Sequence, residues 1–98
     1  MTKYVLLYQG GAMPQSPEEG EKTMAAWMAW FGKAGSAVLD MGNAFGPVSS
    51  VGASLPASGT NGYSTVEAAS VEAVTALLSD HPHLAAGGRI EINETVAM

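Results

Sequence analysis

Lys3-Tyr4-Val5-Leu6-Leu7-Tyr8-Gln9 contains no turn residue, and its side chains fall into two alternating sets, Tyr4, Leu6, Tyr8 and Val5, Leu7. Successive side chains of a strand point to opposite faces, so this is a strand that is apolar on both sides. Gly10-Gly11 and Pro14 break the pattern, and Ser16-Pro17-Glu18-Glu19 opens a helix. Ser16 is the cap, Pro17 takes the first helical position, and Glu19 stands where a capping box places its acid. Met24, Trp27, Met28 and Phe31 follow at i, i+3, i+4 and i+7, a single apolar stripe expected to face a sheet, with Trp30 on its flank as a candidate for a cleft or a subunit contact. Gly32 weakens the helix and Gly35 ends it.

Further along, Val38 to Met41 reads as a second strand closed by Gly42. Residues 43–61 are rich in Gly, Ser, Pro and Ala without sustained period, a longer connection than compact domains usually carry unless it has a function, and Val48 to Leu55 is a candidate short edge strand. Asn61-Gly62 is a turn signal ahead of a third strand, Tyr63 to Glu67. Ser70 caps a second helix whose buried stripe is Val71, Val74, Leu77 and Leu78, and which Pro82 stops. Gly87-Gly88 leads into a last strand, Arg89 to Val96, alternating Ile90, Ile92, Val96 with Arg89, Glu91, Asn93, Thr95.

The order is strand, helix, strand, strand, helix, strand. That is the α+β, ferredoxin-like βαββαβ arrangement, in which two helices cover one face of a four-stranded antiparallel sheet and the first strand is central. The other face then exposes apolar side chains of the central strand, and such a patch usually marks an interface. Two sheets packed face to face remove it, so the expectation is a two-fold homodimer of the dimeric α+β barrel kind.

The composition fits one domain over residues 1–98 and bounds its partners. A chain of 98 residues buries only somewhat over about 60% of its unfolded surface, which makes pairing useful. Apolar residues at 47% with charged ones at 13% describe a globular chain, and the longest unbroken aliphatic run, Val5 to Leu7, is far too short to span a bilayer. Four basic residues against nine acidic ones give a net charge of -5, and Lys3, Lys22, Lys33 and Arg89 are scattered, which argues against nucleic acid and anionic membranes as partners. The first residues offer no secretory signal and the chain has no cysteine, so a soluble, cytoplasmic protein is expected and Asn93-Glu94-Thr95 is read as a chance glycosylation match.

In this order and spacing several segments resemble the YCII-related family of small dimeric α+β barrel proteins, which includes the group named for an Asp-Gly-Pro-Phe motif. They are Lys3 to Tyr8, the Trp27 and Phe31 helix ending in Gly35, Val38-Leu39-Asp40-Met41-Gly42, Gly62 to Ala68, His81-Pro82-His83-Leu84 and Gly87 to Ile92. The resemblance implies the fold, the dimer and a small-molecule cavity. It does not extend to the Asp-Gly-Pro-Phe motif, for which Asn43-Ala44-Phe45-Gly46-Pro47 is a loose substitute in another place. Some members pair a helix histidine with an aspartate just before the late proline, but here the first helix has no histidine and His81 precedes Pro82, so that dyad is not carried over.

Asp80-His81-Pro82-His83 is the one cluster of titratable groups, and imidazole suits proton transfer near neutral pH. The competing reading is a cationic imidazole that complements the negative end of the second helix and bonds its last carbonyls. His81-x-His83 falls short of the three or four ligands of a zinc site, so no metal is expected, and no sequence feature calls for a cofactor. Glu91 faces away from Ile90 and Ile92, toward solvent or the dimer cavity, as a candidate acid or base. Arg89 on the same face either holds an anionic substrate or pairs with Glu91. Asp40 and Asn43 flank the end of the second strand, where turn roles compete with pocket lining, and Tyr8 and Trp27 belong either to the core or to a ligand pocket.

There is no G-x-G-x-x-G, phosphate loop, G-x-S-x-G elbow or H-E-x-x-H. The leading expectation is therefore an enzyme-like homodimer holding a modest organic molecule between helix, sheet and the loop 43–61, with His81 or His83 as acid-base group. A non-catalytic binding module is the alternative, and cofactor-free oxygenase chemistry a third, by analogy of fold alone.

Overall fold

Strand β1 (Thr2–Gly10) lies inside a four-stranded antiparallel sheet of the computed structural model, which describes residues 1–97. It pairs with β3 (Thr60–Ala68) on one side and β4 (Gly88–Glu94) on the other, and β2 (Val38–Asp40) extends the sheet beyond β3. The order β2-β3-β1-β4 is compatible with the ferredoxin-like arrangement. Three helices complete the α+β fold: α1 (Pro17–Ala34), followed by a 3₁₀ turn at Gly35–Ala37, α2 (Val71–Leu77) and α3 (Pro82–Ala85).

Alternation along β1 divides the two layers. Tyr4, Leu6 and Tyr8 point beneath the helices with Ser64, Val66 and Ala68 of β3, and the register sets Ile90 and Ile92 of β4 beside Tyr8 and Leu6. Lys3, Val5, Leu7 and Gln9 lie on the opposite face, across from Glu67, Thr65 and Tyr63 and from Asn93, Glu91 and Arg89. Among the described residues no helix covers that second face. The molecule is 19 Å thick along its shortest axis, the depth of one sheet and one helix layer.

Ser16 caps α1, its Oγ accepting from Glu19 N–H at 3.1 Å, while the Glu19 carboxylate reaches back to Gln15 N–H rather than to the cap residue itself. Gly35, at φ 57, closes the helix through its N–H to the Phe31 carbonyl. The buried stripe of α1 differs from the one expected: Met24 and Met28 are exposed, and Trp30 is only 4% exposed. The set that packs on the sheet is Trp27, Trp30, Phe31 and Ala34, again at i, i+3, i+4 and i+7 but moved along the helix. Periodicity alone fits both sets. Small Ala34 allows close approach, and the Trp30 indole N–H finds the Leu77 carbonyl at 3.3 Å, which lets a large amphipathic ring be buried.

Other boundaries also move. Val71 is exposed, leaving Val74, Leu77 and Leu78 to pack α2. Asn61-Gly62 is not a turn but part of β3, at an irregularity where Tyr8 pairs with Gly62 and Gln9 with Thr60. No strand forms over Val48 to Leu55. Residues 43–59 contain one isolated bridge, Ala44 to Gly62, supported by Phe45 N–H to the Asn61 carbonyl at 2.7 Å. Pro82 does not merely stop a helix but opens α3, with His81 as its N-cap.

Gly42 is required by contact as well as by backbone conformation. Its φ is 75, and a Cβ there would run into the carbonyl of Tyr63. Its N–H donates to Asp40 Oδ1 at 2.8 Å, so the chain leaves β2 in a tight turn against β3. No helix among the described residues is long and apolar enough to cross a membrane.

Candidate functional site

The last residues of β1 sit beneath a cluster of rings. Tyr8 meets Trp27 edge-on at 4.8 Å between centroids, His81 in a stacked arrangement at 5.4 Å and His83 edge-on at 5.4 Å. Trp27 and Trp30 approach His81 at 4.6 and 4.5 Å. Four of the sequence candidates, Tyr8, Trp27, His81 and His83, are thus brought together between the C-terminal half of α1 and the end of the sheet.

The two imidazoles have different duties. His81 is 1% exposed, and its Nδ1 accepts from the His83 N–H at 3.0 Å as the N-cap of α3. An accepting Nδ1 requires the proton of the neutral ring on Nε2, and that buried atom has no hydrogen-bond partner among the described residues. Burial, aided by the neighbouring His83, pushes His81 down to about 4 against a smaller opposing effect of Asp80. His81 is therefore neutral near pH 7. For His81 this corrects the expectation of a cation at the end of α2: neither ring nitrogen bonds a carbonyl of that helix, and the ring caps the start of the next one.

His83 is 9% exposed, with Nε2 2.9 Å from the Gln9 carbonyl. A carbonyl only accepts, so Nε2 carries a proton, and in the neutral ring Nδ1 then keeps its lone pair. The ring is packed against the backbone of two glycines. A Cβ at Gly88 would collide with it, and a Cβ at Gly11 would stand 3.0 Å from Cε1 and 3.3 Å from Nδ1. Of the two histidines, His83 is the one whose basic atom is unused by the fold.

Tyr8 donates to Ser64 Oγ at 2.7 Å, and Ser64 donates in turn to the Met41 carbonyl at 2.7 Å. Burial raises the Tyr8 phenol, with the Ser64 bond acting the other way. The hydroxyl is thus engaged in tying β1 to β3 and to the end of β2.

The remaining candidates lie elsewhere. Asp80 is at the surface, paired with Lys33, whose hydrogen bond holds its carboxyl below the usual range. Glu91 pairs with Arg89 at 3.2 Å on the uncovered face, so the sheet separates both from the imidazoles. Asp40 binds Gly42 N–H, and its Oδ2 accepts from Tyr63 OH at 3.3 Å. The Asn43 carbonyl accepts from Tyr63 N–H at 3.2 Å, extending the β2–β3 pairing. Among the described residues no three His, Asp or Glu groups converge in a way that holds a metal ion.

A groove of ≈ 480 Å³ lies against the long loop, walled by Met13, Phe45, Val48, Gly59, Thr60 and Asn61 among others. Phe45 stacks on Tyr63 at 5.8 Å. Sequence reasoning singled out the loop but gave none of these side chains a place in a pocket. The available signals were Phe45, a lone ring in a run of small residues, and Met13 just past the glycine pair. A second, shallower groove of ≈ 330 Å³ between α1 and β2 is lined by Met28, Phe31, Val38 and Met41. Neither groove contains a titratable side chain.

No protein-family model matches the chain, and no curated protein matches it.

Proposed function

We propose that this chain is an enzyme-like, small-molecule-binding homodimer of the dimeric α+β barrel kind, cytoplasmic and akin to the YCII-related proteins its segments resemble. The ligand is a modest organic molecule held in the groove beside the loop 43–61, and His83 is the acid-base group. The observation that carries this reading is the groove itself. It offers ≈ 480 Å³, but its Met13, Val48 and Phe45 walls are exposed in the single chain, so a second copy or the ligand itself has to complete the enclosure that small-molecule sites provide. It adjoins the end of β1, where the Nδ1 lone pair of His83 is free of structural duty.

The surface supports pairing. The chain exposes 6729 Å², whereas a compact monomer of 10.0 kDa exposes about 5,200 Å². The excess, about 1,500 Å², exceeds the roughly 800 Å² that each partner contributes to an interface of standard size. The uncovered sheet face with Val5 and Leu7 at its centre is the surface such a partner would cover.

The test is a fragment screen by NMR with the native protein, with its mass in solution measured alongside. Binding should shift the resonances of Phe45, Val48 and Thr60, and Phe45→Ala should abolish it. His83→Ala should keep binding and lose turnover of any fragment that is converted. Fragments that bind only outside the groove would refute the reading. Unchanged turnover in His83→Ala would refute His83 as the acid-base group, and fragments that bind the groove without any being converted would favour a non-catalytic binding dimer, in keeping with a groove walled by apolar side chains and amide or hydroxyl groups alone.

A further inference from the structure

Residues 41–66 contain no Asp, Glu, Lys or Arg, although such residues make up 13% of the chain. The middle of this span is also the least supported part of the fold. Every residue of 43–59 is exposed, and among the described residues no backbone–backbone hydrogen bond involves 46–59. Val51 is fully exposed and Leu55 is 80% exposed, and neither lines the groove. The radius of gyration is 14.4 Å, against about 13 Å for a compact domain of this length, in keeping with an arm that packs on nothing of its own chain.

The arm starts on the uncovered side of the sheet. Phe45 stacks on Tyr63, and Tyr63 stands directly across from Leu7. Val5, Leu7, Tyr63, Phe45 and the arm thus make one uncharged surface. The charges of that face lie at its borders, Lys3 and Glu67 at one end, Arg89 and Glu91 on β4 and Asp40 on β2. A centre depleted of charge inside a polar rim is the composition of a protein–protein interface.

We propose that residues 46–57 are an intersubunit arm: in the homodimer each copy lays its arm across the uncovered face of the other, with Val51 and Leu55 as anchors. The groove is then a site completed by the partner, because Met13, Phe45 and Val48, exposed in the single chain, gain their missing wall from the second copy. This rests on the reading of the chain as a homodimer and not on the identity of its ligand. A second copy suits the arm better than a lipid surface, since no Lys or Arg lies between Lys33 and Arg89 and the net charge is -5.

The test is sedimentation of the full chain over a dilution series, comparing the parent with Val51→Asp, Leu55→Asp and Val51→Ile. In the single chain both positions touch neither core nor groove, so circular dichroism should be unchanged in all three variants. Burying one aliphatic side chain is worth about tenfold or more in an association constant, and two-fold symmetry counts each substitution twice. Either Asp variant should therefore raise the dimer dissociation constant at least about hundredfold, while Val51→Ile keeps the parent's value. Amide exchange of 46–57, followed by mass spectrometry, should slow as the parent is concentrated into dimers and stay fast in Val51→Asp. A parent dimer left unchanged by both Asp variants, with exchange of the arm independent of concentration, would overturn the arm and leave the proposed homodimer standing. A parent that stays monomeric throughout would overturn both, and binding to phosphatidylcholine vesicles that Val51→Asp abolishes would then assign the arm to a membrane. Weakened dimers whose groove binds no fragment would uphold the arm and sink the small-molecule reading alone.

Discussion

His81→Phe keeps an aromatic ring among Trp27, Trp30 and Tyr8 but removes both nitrogens. Two effects oppose each other at neutral pH. Losing Nδ1 leaves the His83 N–H uncapped, at about 1 kcal/mol. Losing the unsatisfied Nε2–H removes a buried penalty of about 1–3 kcal/mol. The variant should therefore match the parent within about 1–2 kcal/mol at neutral pH. The pH dependence separates them. The folded value of His81 is depressed to about 4, so the unfolded chain takes up the proton first. Stability from this group is fully present above about pH 6.5 and is lost as pH falls toward 4. The shift corresponds to about 3 kcal/mol, reduced to about 2 kcal/mol because the cover over the ring is a single helix layer through which water screens. Urea unfolding followed by circular dichroism, at one protomer concentration because self-association would couple to stability, measures both proteins across that window. The parent should lose about 2 kcal/mol more than the variant. Carboxylates remote from position 81 titrate in both and cancel in the difference, while Asp80, lowered mainly by Lys33, owes only its smallest contribution to His81. Parallel curves would refute a buried neutral His81.

The Tyr8–Ser64–Met41 chain predicts an asymmetry: Ser64→Ala strands a buried phenol and should cost about 2 kcal/mol, whereas Tyr8→Phe leaves Ser64 bonded to Met41 and should cost about 1 kcal/mol, both by urea unfolding. Gly42→Ala should destabilise by more than about 2 kcal/mol, through its positive φ and the Tyr63 carbonyl, and a change below about 0.5 kcal/mol in the same assay would contradict that contact. Leu7→Glu puts a charge at the middle of the uncovered face and should turn the proposed dimer into a folded monomer by light scattering, with unchanged helical circular dichroism. An unaltered mass would show that this face is not the interface.

The fold was legible because its signals are local. Alternation along Lys3 to Gln9, the caps at Ser16 and Ser70 and the stop at Gly35 each depend on neighbours a few residues away, and the strand order of the α+β sheet agrees with them. What sequence could not supply was anything that depends on rotation or on distant contact. Met24 and Met28 share the helical period with Trp27 and Phe31, and only the Leu77 carbonyl, 47 residues from Trp30, decides that the indole turns inward. For the same reason Asp80 and Glu91, close in sequence to the histidines, fell to the helix surface and to the far side of the sheet.

The two histidines show how a local rule divides a site. Pro82 has no N–H to lose and a fixed φ suited to the first helical position, so helix α3 starts there and His81 becomes its cap. A cap side chain must accept from a backbone N–H near the start of the helix, and here that N–H belongs to His83. The bond fixes the His81 tautomer and draws the ring inward among Tyr8 and the tryptophans. His83, as the second residue of the helix, instead projects across to the Gln9 carbonyl and to the backbones of Gly11, just past β1, and Gly88, at the start of β4. One imidazole is thereby used up in folding while the other is left with a basic atom beside the segment that borders the groove. In this chain the H-P-H triplet at the helix start thus yields one structural imidazole and one whose Nδ1 takes no part in the fold.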